Sequence, residues 1–372
     1  MKLLLLIDEN LTRARVKKNF DNFEKRHNPL GVFEELHIVD SPFRYSGKTE
    51  IGKGVYLYST RRFFGLGYIA IIFKVIGIIR KEKIGIIKIN YSKFLGLLGI
   101  IMQKIFKIPC VAGCYNDYRT WRRLFPFDRV YWTLMLEKFV YRNARYVLFQ
   151  SQYMKDYLHA LGVKDKQFKL CYVVNTEIEN FYNCQRNTDQ KYFTIVFCGR
   201  MHNQKDIWTL LKSFKELRQE KDDARLWLIG DGPLRLKLER FVKKNNIPDV
   251  TFFGFIENHE VKRKYVNADI FVFTTLFEGF PNVLLEAQIA GMPIVTTDIP
   301  HVSEIVSAND AYLFPARNHK ELVRILFKLY RNGEELSRLS KASLRKSADF
   351  FSRKPIEKNA KTYREIYEES KK

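Results

Sequence analysis

At 372 residues the chain exceeds what one ordinary core accommodates, and two domains are the default expectation. A composition of 46% hydrophobic and 15% aromatic residues excludes a disordered or low-complexity chain. The net charge of +23 is weighted to the front, where residues 1–190 hold 32 Lys/Arg against 17 Asp/Glu, and it favours anionic partners. Such partners are phosphorylated substrates, an anionic membrane surface or nucleic acid. No zinc-finger spacing, base-stacking motif or basic helical repeat supports nucleic acid. The cysteines (Cys110, Cys114, Cys171, Cys184, Cys198) are odd in number and scattered through apolar runs. They imply neither a disulfide framework nor a zinc site, and reduced thiols in a cytosolic protein account for them.

The chain starts with an apolar run too short for a signal peptide, met at once by Asp8 and Glu9, and this reads as a buried first strand. Further strand-like runs are expected at 35–39, 84–89, 110–113, 145–149 and 168–174. Helical patterns over 12–26, 63–80, 92–106, 129–142 and 151–161 separate them. The segments 63–79 and 94–106 are apolar but interrupted or short, so neither predicts a membrane span. They read as buried helices, with flanking cations that also suit an interfacial helix on an anionic leaflet. The polar stretch 183–190 reads as a linker.

The pattern restarts with strands at 192–198, 224–229, 250–253, 270–273, 294–296 and 311–314. Helices are expected near 205–220, 233–245, 260–267 and 318–330. Continuous apolar strands alternating with helices predict parallel sheets covered on both faces. The expected fold class is α/β, with two Rossmann-like doubly wound domains facing across a cleft. Residues 1–183 form the first domain and 191–350 the second. The amphipathic segment 351–372 is a C-terminal helix placed to pack back on the first domain.

Four signals in the second half carry chemistry. Gly199 ends a strand and is followed by Arg200 and Lys205 before a helix, where two cations could clamp a diphosphate. Ile229-Gly-Asp-Gly-Pro233 is a tight turn at the next strand end. The run from Gly254 to Glu260 forms an edge suited to a nucleobase. Finally, Phe271 to Val295 reads as strand, loop, helix and strand, with Glu278 in the loop, Pro281 opening the helix and Glu286 on it. No Ser, Thr or Asp caps that helix, so the amides of Asn282 and Val283 are expected to be open to an anion. Two acids beside a positive helix end suit a ligand with both phosphate and hydroxyl groups, such as a nucleotide sugar.

In this order and spacing the four signals resemble the donor-binding half of the retaining glycosyltransferases of family four, which have the GT-B fold. The resemblance is close over 192–306 and only in outline before that. Gly199, Arg200 and Lys205 match the family's Gly-Arg…Lys element, with Asp206 where glycine is usual. Glu278 and Glu286 match its Glu-x7-Glu element, and residues 278–287 look like the variant of bacterial polysaccharide enzymes that use UDP-sugars. The resemblance implies catalytic roles for Arg200 and Lys205, which neutralise the leaving diphosphate. It places Glu278 beside the anomeric carbon, holding hexose hydroxyls with the backbone near Phe280, Pro281, Asn282 and Val283, and Glu286 on the ribose. No metal and no cofactor beyond the nucleotide-sugar co-substrate are implied.

The first half departs from the family. Asp8 to Arg15 stands where a glycine-rich loop is common, leaving Thr12 and Arg13 as candidates for a phosphate. Tyr115 stands near the position of a family histidine, and Tyr115, Asp117 and Arg13 are the acceptor-side candidates. None of the seven histidines substitutes clearly for it, His202 and His301 reading as supporting or solvated. The resulting expectation is a cytoplasmic, membrane-peripheral enzyme moving a hexose or N-acetylhexosamine from a UDP-sugar to a lipid-linked or surface-polysaccharide acceptor. Its partners would be the nucleotide sugar, the glycan or lipid-linked acceptor and an anionic membrane surface, without nucleic acid. A non-catalytic scaffold of the same fold, an epimerase or phosphorylase, and a basic nucleic-acid-binding protein remain as alternatives.

Overall fold

The computed structural model describes residues 1–7, 23–24, 27–40, 47–59, 66–90, 94–115, 117–124, 131–171, 191–300, 302–352 and 355–371. It divides into two compact units, Met1–Asn175 with Lys354–Lys372, and Thr176–Arg353.

Unit 1 begins with β1 (Lys2–Ile7), β2 (Glu35–Asp40), β3 (Gly47–Gly52) and β4 (Val55–Ser59). Helices and strands then alternate through α1 (Leu66–Glu82), β5 (Ile86–Ile89), α2 (Phe94–Phe106) and β6 (Cys110–Gly113). They continue through α3 (Tyr118–Leu124), α4 (Tyr131–Asn143), β7 (Tyr146–Phe149), α5 (Gln152–Ala160) and β8 (Phe168–Leu170). The sheet order is β3-β4-β2-β1-β5-β6-β7-β8, parallel except for the β3–β4 hairpin. In its centre Leu5 lies between Ile38 and Lys88. The leucines of β1 alternate into two buried layers. Leu4 and Leu6 face a core shared with α1, α2, α4 and α5, while Leu3 and Leu5 face the other side.

Unit 2 is a six-stranded all-parallel sheet, β11-β10-β9-β12-β13-β14. Its elements are β9 (Phe193–Cys198), α6 (Ile207–Glu220), β10 (Ala224–Ile229), α7 (Arg235–Lys244), β11 (Val250–Gly254), α8 (Asn258–Val266) and β12 (Ile270–Phe273). They are followed by α9 (Asn282–Ile289), β13 (Ile294–Thr297), β14 (Ala311–Phe314), α10 (His319–Leu329) and α11 (Gly333–Ser352). Every residue of β9 and β12 is buried, as expected for central strands covered on both faces.

Three elements differ from the sequence expectation. The β3–β4 hairpin was not expected: β3 is an antiparallel edge with exposed Lys48 and Glu50, while β4 carries a short apolar run, Val55 to Tyr58, that pairs parallel with β2. Helices α3 and α11 lie where no helix was expected. The helix expected over 12–26 and the linker over 183–190 fall largely or wholly outside the described residues, and residues 172–174 of the sixth expected strand do so too.

The last helix, α12 (Pro355–Lys371), belongs to unit 1. It covers the second apolar layer with Tyr363 and Ile366, both essentially inaccessible. Glu369 anchors its end, accepting from Lys169 Nζ at 2.6 Å and from the Tyr146 hydroxyl at 2.8 Å. Among the described residues no helix is long and apolar enough to cross a membrane. Ile366→Ala should lower unfolding free energy by about 2–4 kcal/mol through the cavity it leaves, read as a reduced midpoint in urea.

Candidate active site

The expected donor-side residues of unit 2 gather at the carboxyl edge of its sheet, on the loops that follow β9 and β12. After β9 the chain turns through Gly199 and Arg200 into a 3-10 turn, Asn203–Lys205, capped by the His202 ring accepting from the Gln204 amide. This turn is laced to the loop after β12. The Gln204 carbonyl accepts from the Leu276 amide at 2.8 Å, and its side-chain amide donates to the Phe277 carbonyl at 2.7 Å. Thr274 donates to the Lys205 carbonyl at 2.8 Å.

The lacing brings Lys205 and Glu278 together. Lys205 Nζ lies 2.5 Å from Glu278 Oε1, and the side chains are only 13% and 8% exposed. The same oxygen accepts from the Thr275 hydroxyl at 2.5 Å, so both bonds use Oε1. The ammonium also sits 4.9 Å from the centroid of the Phe273 ring. An ammonium has three donors, so contact with Glu278 leaves it able to meet a ligand oxygen. Arg200, by contrast, is exposed.

Asp206 explains its own departure from the glycine usual in related sequences. Its backbone is left-handed (φ 42°, ψ 47°), a conformation glycine adopts freely and aspartate tolerates. Burial raises its pKa, while the Thr209 hydroxyl bonded at 2.7 Å opposes that shift.

Pro281 is the N-cap of α9 rather than its first helical residue, because its ψ of 82° delays the helix to Asn282. No side chain caps this end. The expectation of two open amides is corrected in one respect, since the Asn282 amide donates to the Phe280 carbonyl at 3.0 Å. The Val283 amide has no acceptor among the described residues. Glu286, one turn further on, is 9% exposed and close enough to Cys198 to add to the burial that pushes that thiol up to about 12.

The segment after Gly199 runs beside the turn after β10. Met201 donates to the Asp231 carbonyl at 2.9 Å, and its own carbonyl accepts from Leu234 at 3.0 Å. A Cβ on Gly230 would stand 2.1 Å from the Gly199 oxygen, and one on Gly232 2.5 Å from the Met201 oxygen. Beside this turn, Phe255 follows β11 with 77% of its surface exposed, on the edge expected to meet a nucleobase.

In unit 1 the acceptor-side candidates divide. Arg13 and Thr12 lie outside the described residues, as does His301. Tyr115 folds its ring over Gly113, where a Cβ would meet the ring at 2.4 Å. Asp117 is fully buried, accepting from the Thr120 amide at 2.9 Å, the Thr120 hydroxyl at 2.6 Å and the Tyr153 hydroxyl. It caps the start of α3 and acts on its surroundings through these partners. Sequence reasoning missed its neighbour Glu137, which is fully buried and accepts from the Tyr157 hydroxyl at 2.5 Å. Burial, with a smaller contribution from the Asp117 charge, pushes Glu137 up to about 8. It missed Gln204 and Thr275 as well, although two threonines closing the apolar β12 run were a usable signal.

Among the described residues one trio, Glu35, His37 and Glu82, has atoms close enough to share a metal. Lys2 instead takes Glu35 at 2.8 Å, and His37 Nε2 lies 2.9 Å from the same carboxylate oxygen.

Comparison with known proteins matches "Glycosyl transferases group 1" to residues 178–346 and "Glycosyltransferase Family 4" to residues 36–172. The two matches together place a glycosyltransferase-type domain in each half of the chain. An uncharacterized glycosyltransferase of Methanocaldococcus jannaschii is 30% identical over 217 residues, spanning 54% of this chain and about half (51%) of that relative. Sucrose-phosphate synthase from Thermosynechococcus elongatus superposes with a TM-score of 0.81 at 17% identity, over 98% of this chain and 99% of that one. Anabaena HepE, crystallised with UDP and glucose, gives 0.75 at 16% identity over the same shares. The glycosyltransferase fold is therefore GT-B, with two Rossmann-like α/β domains.

Two outcomes test this geometry. Gly230→Ala should destabilise unit 2 by about 2 kcal/mol or more, measured by thermal unfolding, because backbone rather than a movable side chain blocks the new Cβ. Folded Glu137 keeps its proton to about pH 8, whereas the unfolded carboxyl ionises near its ordinary 4.5. Its contribution is thus complete below pH 4.5 and lost as pH rises to 8. Glu137→Gln should raise stability at pH 8 by on the order of 4–5 kcal/mol and leave it unchanged at pH 4.5.

Proposed function

We propose that the protein is a retaining glycosyltransferase that moves a hexose or N-acetylhexosamine from a UDP-sugar to a lipid-linked saccharide or surface-polysaccharide acceptor. The observation that carries this reading is the Lys205–Glu278 pair, held by backbone lacing beside the uncapped start of α9. Two cations, one acid and a positive helix end match a donor that is anionic at the diphosphate and hydroxylated at the sugar. The crystallisation of a fold neighbour with UDP and glucose supports a uridine donor.

In this mechanism the acceptor hydroxyl attacks the anomeric carbon from the face the diphosphate leaves. The new glycosidic C–O bond forms as the bond to the phosphate oxygen breaks, and the hydroxyl proton passes to that oxygen. Arg200 and Lys205 meet the negative charge that grows on the leaving group. Glu278 presents Oε2 to hexose hydroxyls while Oε1 keeps Lys205 in place, and Glu286 accepts from the ribose. Gly199 and the backbone from Phe280 to Val283 complete the donor site. Charge neutralisation by side chains predicts turnover insensitive to EDTA. The exposed Arg122 and Arg123 of α3 suit an anionic lipid-phosphate acceptor, with Tyr115 and the Asp117 network on the acceptor side. The buried thiols Cys110, Cys114 and Cys198 suit a cytoplasmic site of action.

A thermal-shift panel of UDP-, GDP- and ADP-sugars should show selective stabilisation by one uridine donor, and no shift with any of them would overturn the reading. Lys205→Ala and Arg200→Ala should each lower kcat by on the order of 10²–10³ with the fold retained by circular dichroism. Wild-type turnover in either variant would remove its assigned role. NMR of the initial product should show the donor's anomeric configuration.

A further inference from the structure

The sheet of unit 1 reverses its strand order beside β1. The chain winds outward from β1 to β2 and β4, and α1 then carries it back to β5 on the other flank of β1. In an open α/β sheet, ligands bind in the crevice outside the carboxyl ends of the two strands at such a point. Asn90 stands there. It is the first residue after β5, and its backbone amide donates to the Leu6 carbonyl at 3.3 Å, which sets it beside the last residue of β1.

Its neighbours in the central strands include other buried polar side chains. Asp40 closes β2 in register with Ile7 and is wholly inaccessible. Lys88 of β5 is also buried, with its amino group 3.4 Å from His27 Nδ1 and 5.2 Å from the centroid of the Tyr363 ring of α12. Asp40, Lys88 and His27 each have a partner. Asn90 differs from them. It is 2% exposed, and neither its Oδ1 nor its Nδ2 has a hydrogen-bond partner. No other buried side chain among the described residues has two such atoms; Glu137 leaves one oxygen unmet, but Tyr157 holds the other. A buried amide costs free energy for each group left unmet, and a bound molecule that supplies both bonds offsets that cost. The molecule must accept from Nδ2 and donate to Oδ1. A hydroxyl does both, whereas a phosphodiester oxygen only accepts.

We propose that Asn90 is a specificity-determining residue of the acceptor site, its carboxamide donating to and accepting from a ring hydroxyl of the acceptor saccharide. The assignment rests on the transferase reading above, which puts the donor on unit 2 and leaves a second saccharide for unit 1. Because the carboxamide is shut off from solvent, binding includes a local rearrangement that admits the hydroxyl. A saccharide lacking that hydroxyl leaves the amide unmet and is rejected for that reason. A buried water would meet the same two atoms without any role in recognition, and it is the rival to be separated.

The test presents the whole chain, with UDP, to the methyl glycosides of glucose, galactose, mannose and N-acetylglucosamine and reads binding by saturation-transfer NMR. At least one glycoside should bind. Asn90→Leu, close in shape but without hydrogen bonds, should weaken it by on the order of tenfold. One mono-deoxy analogue of that glycoside should bind wild type and variant equally. The Tm of Asn90→Leu should hold or rise, because an unmet amide is removed. Asn90→Ala repeats the binding measurement in case leucine overfills the site. A structural amide or a bridging water predicts the opposite pair, a lower Tm for Asn90→Leu with glycoside binding unchanged. Failure of the transferase reading shows separately, as no thermal shift of the wild type with any nucleotide sugar. With that shift present, the opposite pair, unaltered binding in both variants, or no binding of any glycoside to wild type would overturn the assignment.

Discussion

The donor side depends on a single lacing, the hydrogen bonds that tie the 3-10 turn after β9 to the loop after β12. Both loops leave central strands of one parallel sheet, where the backbone has used its ladder partners and each further amide must find its own. Gln204 supplies a carbonyl and a side-chain amide, and Thr274 and Thr275 supply hydroxyls, so neither loop is held by apolar packing alone. The Lys205–Glu278 pair follows from that lacing. Taking two charges mostly out of water is costly, and a pair so placed is weak evidence for stability. Its worth is positional, since each charge fixes the other at the mouth of an uncapped helix.

Backbone proximity adds a second constraint. The turn after β10 approaches the Gly199 segment so closely that Gly230 and Gly232 have no room for a side chain. The loop that carries Arg200 and Lys205 is thus fastened on both sides, to β12's loop by side chains and to β10's turn by backbone. Asp206 completes the turn in a left-handed conformation and begins α6. Side chains held on such a frame need little reorganisation when a charged ligand arrives, which is what the proposed stabilisation of a leaving diphosphate requires.

Unit 1 is built by the same rules to a different end. Its buried acids, Asp117 and Glu137, are held by Thr120, Tyr153 and Tyr157 and shape the carboxyl edge from within. Among its described cations, Arg80, Lys81, Lys104 and Arg142 are exposed near the ends of three helices, whereas Lys88 is buried in β5. A cation at a helix C-terminus suits the macrodipole, but that does not account for the exposed Phe73 and Ile105 on the same helices.

The alternation of short apolar runs with helix-length segments determined the two doubly wound sheets, because buried parallel strands such as β1, β9 and β12 need continuous apolar runs and a helix to cross back between them. The order and spacing of Gly199, Arg200, Lys205, Glu278 and Glu286 likewise determined the donor-side candidates, since strand ends of one sheet must lie along one edge. The edge strand β3 was not legible, because an exposed antiparallel edge carries a polar pattern indistinguishable from a loop, whereas the apolar run of β4, Val55 to Tyr58, was a signal left unread. Only the tertiary structure paired Lys205 with Glu278 through one carboxylate oxygen, closed the Asn282 amide onto Phe280, and turned Asp117 inward. Each of these is a contact between residues distant in sequence or a choice of backbone angle, and neither is encoded in the period of a hydrophobic pattern. Only the fold, too, decided which apolar residues of α1, α2 and α4 stay outside. A helix apolar on nearly all sides gives no sequence signal for the face it buries.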